Sequence, residues 1–595
     1  MGLLQKAVET YDAMAHRAGV MYEEEREPLA PVFHILARAQ IEIVLDQEGV
    51  FLSARAVSKD EPKIIIPVTA ESAGRTSAPC AHPLCDQLGY LAPYDEKKHS
   101  LYLAALADQE SSPYTHPMLH AILRYVQGGT ILADLAAAGL IQLDQNGRPA
   151  DEKLMVRWVV NGLGEGYCGE CWRDQALMGA FIDHTIAKQV KTAPALCMIT
   201  GTMEPPAEQH PKGIVALNGN AKLISSNDSS GFTYRGRFDN ASQAVTVSYI
   251  ASQKAHCALR WLVANQGVSF GDRTFLCWNP QGVKVPSVHG PMGRTRGQRA
   301  ADPTQYRQQL LEALSGWKER LPPGAGVVIA AFDAATTGRL AVTYYNELLA
   351  SDFLDRLHDW ETSCCWENGL YGIQSPSLFR IVDLAFGTLR SGKVETDSRI
   401  LSQQMQRLIA CRIDQALFPA DIERNLVEHA SNLLLYTGPK PEDTRKLRDD
   451  LLFTACAAVR KYHFDHFKEE WDMALDLGCK DRSYLFGRLL AVAEIVESST
   501  YNKENIRETN ALRMQKAFAL RPMSTWRMLE ERLEPYYKQL NPGLRLYYRK
   551  ITEEIVDGLS PSAAELNQKL DDIYLLGYYH QRSYRKEKTE SKTEG

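Results

Sequence analysis

The sequence predicts an α+β fold in which a mixed N-terminal region is followed by an all-helical part ending in a four-helix bundle. Three observations carry this. Strand-like runs cluster before about residue 345 and then fade. Beyond that point apolar residues recur at helical spacing. Near the C-terminus that spacing resolves into four separate stripes. At 595 residues, with 45% hydrophobic and 24% charged residues, the chain has ordinary globular composition and length for several domains. The expected division is a mixed α/β domain over 1–345, a helical connecting region over 346–471 and the bundle over 472–595.

Residues 1–30 read as one amphipathic helix, with Leu3, Leu4, Ala7, Val8, Tyr11 and Met14 on one face. Ile41-Glu42-Ile43-Val44-Leu45 and Val50-Phe51-Leu52 flank Asp46-Gln47-Glu48-Gly49, which reads as a hairpin with glycine in its turn. Ile64-Ile65-Ile66-Pro67-Val68 is a short strand whose proline suits an edge or an end. Residues 117–140 and 171–192 read as helices. Residues 196–200, 245–249, 274–278 and 327–332 read as strands, and helical periodicity returns over 399–436 and 445–470. The first bundle stripe is Leu485, Phe486, Leu489, Leu490, Ala493 and Val496. The second is Trp526, Leu529 and Leu533, and the third is Leu546, Ile551, Ile555 and Val556. Leu566, Leu570, Ile573 and Leu576 form the fourth. Ser562-Ala563-Ala564-Glu565 reads as a capping box, and Gly577 as the residue just past a helix end. The tail from Arg585 onward has no apolar content and is expected to be disordered.

The twelve cysteines are scattered, the first residues lack the cationic and long apolar regions of a secretory signal, and no uncharged apolar run reaches the ~18 residues needed to span a bilayer. These features predict a cytoplasmic protein with free thiols and no membrane partner.

Charge is concentrated in residues 222–299. Ten Lys/Arg stand there against three Asp, giving +7 on a chain whose total is −6 and leaving −13 for the remainder. A cationic segment on an acidic body points to one face that meets a polyanion. Its polar run mixes amides and hydroxyls with Phe232, Tyr234 and Phe238 and with arginines, side chains that can read a minor groove, stack on bases and hold a backbone. The expected base-edge readers are Ser226, Asn227, Asn240 and Gln243. The expected phosphate contacts are Arg235, Arg237, Lys254, Arg294, Arg296 and Arg299, with Tyr234 as an aromatic contact.

Catalytic chemistry finds little support. Cys168-Gly169-Glu170-Cys171 is a CxxC, and Cys80, His82 and Cys85 are further ligand types, but the second cluster lacks zinc spacing and core thiols are expected. His358-Asp359 and Asp465-His466 lie in different predicted regions, whereas a metal-dependent phosphohydrolase needs its ligands together. No phosphate loop, dinucleotide fingerprint, nucleophile elbow or HExxH occurs. No catalytic residue, metal or cofactor is therefore assigned. The competing reading is a zinc- or manganese-dependent nuclease built on His358, Asp359 and the cysteine clusters.

Several stretches together resemble the large subunit of the type I-C CRISPR Cascade complex. Residues 223–243 followed by Val245-Thr246-Val247-Ser248 are similar to a family segment, although Ser226 stands where the family usually has Phe and Arg235 where Gly follows the Tyr. Leu196-Cys197-Met198-Ile199-Thr200-Gly201, His210-Pro211-Lys212-Gly213 and residues 327–342 also resemble it. So do Tyr484-Leu485-Phe486-Gly487-Arg488-Leu489 and Leu575-Leu576-Gly577-Tyr578-Tyr579-His580-Gln581-Arg582, the last being the most specific. The resemblance implies a non-catalytic subunit of a crRNA-guided surveillance complex. Such a subunit recognises the protospacer-adjacent motif on double-stranded target DNA and helps to open the strands. Its implied partners are the crRNA, the displaced strand, the backbone and crRNA 5′-end-binding subunits, the small subunit and a separately recruited helicase-nuclease. A third reading is a helical scaffold that grips guide RNA without direct DNA readout.

The resemblance further implies a small subunit made from an internal start. Lys468-Glu469-Glu470 must be coded AAR-GAR-GAR, which can contain AGGAGG, and Met473 follows at a spacing suited to initiation.

Overall fold

The computed structural model describes residues 2–75, 78–189, 192–216, 219–225, 238, 241–292, 300–336, 338–369, 372–502, 507–559 and 565–593. The chain forms two compact units. The first comprises Met1–Lys284 with Gly326–Glu347, and the second Val285–Ala325 with Leu348–Gly595.

Among the described residues the first unit has two large cores. One is built on a three-stranded sheet in which Ile41–Asp46 lies between Phe51–Ala56, antiparallel, and Val156–Asn161, parallel. Alternation sends Ile41, Ile43 and Leu45 into the core with Val156, Trp158 and Val160. They meet the helix Pro117–Gln127, which buries Leu119, Ile122 and Val126. The hairpin lies where the sequence predicts it. Asp46 Oδ1 accepts from the Glu48 and Val50 amides at 2.9 and 2.8 Å. Gly49 has φ +78°, and a Cβ there would meet the Ala121 carbonyl oxygen. Ile64–Pro67 is also a strand, paired antiparallel with His34–Ala37.

The second core packs the helix Tyr249–Gln266 against the helix Leu3–Ala13 and a four-stranded sheet ordered Arg339–Leu349, Gly326–Thr336, Arg273–Trp278, Val268–Phe270. Trp278 Nε1 donates to Thr10 Oγ1 at 3.0 Å, tying the N-terminal helix to the sheet.

Several boundaries differ from the sequence reading. The N-terminal helix stops at Ala13, and a short 3-10 turn, Ala15–Arg17, precedes Gly19 at φ +83°. The 117–140 helix is two, Pro117–Gln127 and Ile131–Ala137, broken at Gly128-Gly129 where Gly129 has φ +69°. Residues 171–192 shorten to Gln175–Gln189, and 196–200 to the two-residue strand Ala195–Leu196. Residues 245–249 form no strand. Ser248 caps the following helix by accepting from the Ala251 amide at 3.1 Å.

Among the described residues the second unit is mainly helical, with two small hairpins, Trp366–Asn368 with Gly372–Gln374 and Thr388–Arg390 with Lys393–Glu395. The region after residue 345 is therefore not all-helical. Among the described residues the C-terminal part has five helices rather than four: Arg482–Ser498, Asn510–Leu520, Pro522–Gln539, Pro542–Gly558 and Tyr574–Thr593. Asn510–Leu520 buries only Ala511, Gln515, Phe518 and Ala519, too sparse a stripe for periodicity to register. The stripe placed at 566–576 is a 3-10 turn, Glu565–Asn567, followed by irregular chain until Tyr574. The predicted capping box at 562–565 falls largely outside the described residues. The tail from Arg585, expected to be disordered, continues the last helix to Thr593.

The centre of this bundle is Arg482–Ser498, whose residues from Ser483 to Glu497 are all buried. It crosses the last helix at a glycine pair. A Cβ at Gly487 would meet the Tyr574 carbonyl oxygen, and one at Gly577 the Tyr484 carbonyl oxygen. Gly577 is thus a close-contact residue inside a helix, not a helix stop, and both family-like C-terminal motifs carry one half of this crossing. Tyr484 Oη and His580 Nδ1 lie 2.9 Å apart beside it, and Arg488 Nε donates to Gln581 Oε1 at 3.1 Å.

Gly577→Ala is expected to destabilise the protein by about 1–3 kcal/mol, the range for overpacking a close-packed contact. A lower urea midpoint at unchanged m-value is the expected signature. An unchanged midpoint would show that the helices can separate without penalty.

Candidate nucleic-acid interface

The cationic stretch passes from the first unit to the second between Lys284 and Val285. It begins as extended chain. The Lys222 amide donates to the Gly338 carbonyl and its carbonyl accepts from the Leu340 amide, both at 3.0 Å, so it lies beside the strand Arg339–Leu349. Ser226, Asn227, Tyr234, Arg235, Arg237, Asn240, Arg294, Arg296 and Arg299 lie outside the described residues. Gln243 is exposed on the short helix Ala241–Ala244, and Phe238 is partly exposed.

Other cations of the stretch already have partners. Lys254, on Tyr249–Gln266, is 2.7 Å from Asp12. That pair is accessible, and such pairs contribute about 0–1 kcal/mol, so a phosphate can compete for the ammonium. Arg273 is 2.8 Å from Asp333, and Arg260 donates to the Lys212 carbonyl.

The chain on either side of residues 293–299 is firmly held in the second unit. Arg412 Nη2 donates to Glu361 at 2.7 Å, and both side chains are 1% exposed. Arg412 Nη1 also donates to the Val288 and Gly290 carbonyls at 3.2 and 2.9 Å, while Glu361 accepts from the Met292 amide at 3.1 Å and from Tyr306 Oη at 3.3 Å. Burial pushes the Glu361 carboxyl up, and Arg412, Met292 and Tyr306 oppose that push. After the segment, the Ala300 carbonyl accepts from the Ile373 amide at 2.9 Å. Gly293-Arg294-Thr295-Arg296-Gly297-Gln298-Arg299 therefore joins two fixed points.

The anchoring residues carry a signal in the sequence that charge counting misses. Glu361 follows the stripe Phe353, Leu354, Leu357, Trp360, and Arg412 lies within Leu408, Ile409, Ile413. Opposite charges on two apolar stripes are a pattern for a buried pair.

The motifs weighed for catalysis have local structural roles. His358 Nδ1 is 4.0 Å from Asp359 Oδ1 on the helix Ala350–Ser363. Asp465 accepts from the Phe418 amide at 3.0 Å and from Lys461 at 2.8 Å, and His466 Nε2 is 2.9 Å from the Phe418 carbonyl. Cys85 and Cys171 sit 3.5 Å apart in the first core, and burial pushes the Cys85 thiol well up, away from the thiolate a metal needs. His82 Nδ1 is 2.9 Å from Ser72 Oγ, and its amide donates to Asp86, which pairs with Arg75 at 2.5 Å. Among the described residues no three His, Cys, Asp or Glu are grouped to hold a metal ion. Among them, too, no helix is long and apolar enough to cross a membrane.

A family model described as CRISPR-associated protein (Cas_Csd1) matches residues 8–585, nearly the whole chain. The chain belongs to the Csd1 family. A search among curated proteins finds no match. This Csd1-family chain is accordingly a CRISPR Cascade large subunit of type I-C, an effector subunit that assembles with a crRNA and other subunits.

Arg412→Met is expected to lower stability by about 3–5 kcal/mol, because Glu361 is left buried and unpaired. Adding Glu361→Gln should recover part of the loss. Chemical denaturation of the three proteins checks this, and a double variant no more stable than Arg412→Met would contradict the pairing account.

Proposed function

We propose that this Csd1-family subunit is non-catalytic and reads the protospacer-adjacent motif on duplex DNA through residues 222–299. Contact there aids strand opening and supports recruitment of a separate helicase-nuclease. The observation that carries the reading is the anchoring of the chain beside Arg294, Arg296 and Arg299. Three cations on a segment tethered at both ends lose less conformational freedom on meeting a phosphate backbone than three on a free tail. Guide pairing reads the target sequence, so the protein has only a short motif to recognise.

Assembled complexes carrying Arg294→Ala/Arg296→Ala should bind all duplexes more weakly, with the salt slope flattened by about one unit per lost contact. Asn227→Ala should instead relax motif preference, by ~1–3 kcal/mol. Binding titrations with motif-bearing and motif-free duplex at several salt concentrations separate the two effects. Parent-like behaviour of both variants would overturn the assignment.

We also propose that Met473 begins a separately translated small subunit. Met473 lies in irregular chain between the helices Pro441–Phe467 and Arg482–Ser498, so a start there cuts no helix. Leu489, Val492, Phe518, Leu529, Leu533 and Ile555 are all buried and all lie downstream of it. In the full chain the same part is tied to upstream residues: His463 to Asp572 at 3.0 Å, Gln515 to the Ala430 carbonyl at 3.0 Å and Tyr579 to the Glu367 carbonyl at 2.7 Å. A free product would present that face to a new neighbour. Synonymous recoding of Lys468-Glu469-Glu470 to AAA-GAA-GAA should deplete the fragment while full-length protein persists. A fragment that survives Met473→Ala would refute this start.

A further inference from the structure

The first unit contains a cavity of about 680 Å³ whose lining includes Lys222, Arg260 and Trp261 of the cationic stretch. It lies between the helix Tyr249–Gln266 and the chain around His210-Pro211-Lys212-Gly213, with Lys222 on its wall. Five lining cations, Arg26, Lys63, Lys212, Lys222 and Arg260, stand against one carboxylate, Glu27, which is already paired with Lys63. Burial holds Lys212 below its ordinary pKa, and Lys222 and Arg260 add to the effect. Burial likewise lowers Arg260. Like charges so placed repel, and the repulsion is relieved when an anion enters.

Two further groups lack partners. Arg260 spends Nη2 on the Lys212 carbonyl, but its Nε is buried without an acceptor. Trp261 Nε1, next in the chain, is also buried without one. Buried donors without acceptors are rare in folded proteins and point to an acceptor-rich ligand. Burial also keeps the neighbouring His210 neutral at ordinary pH, with its pKa lowered to about 4. The remaining wall mixes polar side chains, among them Gln253 and Thr274, with an apolar part that includes Ile214, Val215 and Trp261. A phosphate alone fills little of such a volume, whereas a phosphate with its sugar and base is the size that pockets of a few hundred Å³ enclose.

We propose that this cavity binds a nucleotide, its phosphate held by Lys212, Lys222 and Arg260 and its apolar part against Ile214, Val215 and Trp261. The nucleotide comes either from a nucleic-acid strand or from free solution, and the chemistry recognised is the same. The proposal does not rest on motif reading by residues 222–299.

Calorimetric titration of the purified full-length chain tests it with three probes: inorganic phosphate, thymidine 5′-monophosphate and a single-stranded oligonucleotide of twelve thymidines. Saturable binding of the monophosphate, weakened about tenfold or more in Lys212→Gln and in Arg260→Gln, supports a free nucleotide. The same loss for the oligonucleotide, with no monophosphate binding, supports a strand nucleotide. Competition by inorganic phosphate supports the phosphate contact. Lys222→Gln guards against simple misfolding. It removes a repelled cation, so its Tm without ligand should equal or exceed the parent's while binding falls. A Tm drop with unchanged binding assigns Lys222 a structural role only and overturns its place in the site. Absence of saturable binding by all three probes, or equal binding by parent and variants, overturns the proposal. Duplex binding by the assembled complex is a separate measurement and stands or falls independently.

Discussion

The buried pair of Glu361 and Arg412 organises the second unit. Four pieces of chain meet on it: the helices Ala350–Ser363 and Ser398–Ile413, the helix Pro303–Arg320 through Tyr306, and residues 288–292 through backbone groups. Removing two charges from water costs several kcal/mol per ion, and their attraction repays this only when the remaining donors and acceptors are also satisfied. Here most are. Apolar side chains of the same shape would stabilise the unit as well, but they could not accept from the Met292 amide or donate to the Val288 and Gly290 carbonyls. The pair therefore supplies position more than stability, and what it positions is the chain leading into the Arg294, Arg296 and Arg299 segment.

The bundle depends on a different constraint, close approach. With Gly487 against the Tyr574 carbonyl and Gly577 against the Tyr484 carbonyl, two helices pack backbone to backbone. The larger side chains are displaced to either side, where Tyr484 meets His580 and Arg488 meets Gln581. Trp366 then stacks on His580, with ring centroids 4.9 Å apart. The family-like C-terminal motif is thus spaced by a helix crossing, with aromatic and polar residues placed where the crossing leaves room.

Counting charges along the chain treats all cations alike, and the fold does not. Arg273 is committed to Asp333, Lys254 shares Asp12 and Arg260 is turned inward to the Lys212 carbonyl. Cations available to a polyanion are fewer than the ten Lys/Arg of residues 222–299. Lys212 and Arg260 instead help to charge a cavity in the first unit, where their like charges favour an anion.

The sequence by itself determined the α+β class, the Asp46–Gly49 hairpin, the strands at 274–278 and 327–332, the helical C-terminal part and the family. These are carried by local periodicity, turn chemistry and motif order, all readable within a few residues. Element ends were less legible because a break such as Gly128-Gly129 depends on one or two residues. Tertiary structure alone decided the rest. Gly577 reads as a helix stop until the Tyr484 carbonyl is seen against it. Residues 285–325 read as part of the first domain until their packing assigns them to the second unit. Glu361, far from Arg412 in sequence, becomes an anchor only when folding removes both from water. Periodicity records which face of an element is buried, but not which distant element covers it, and that second choice sets where the charged groups meet.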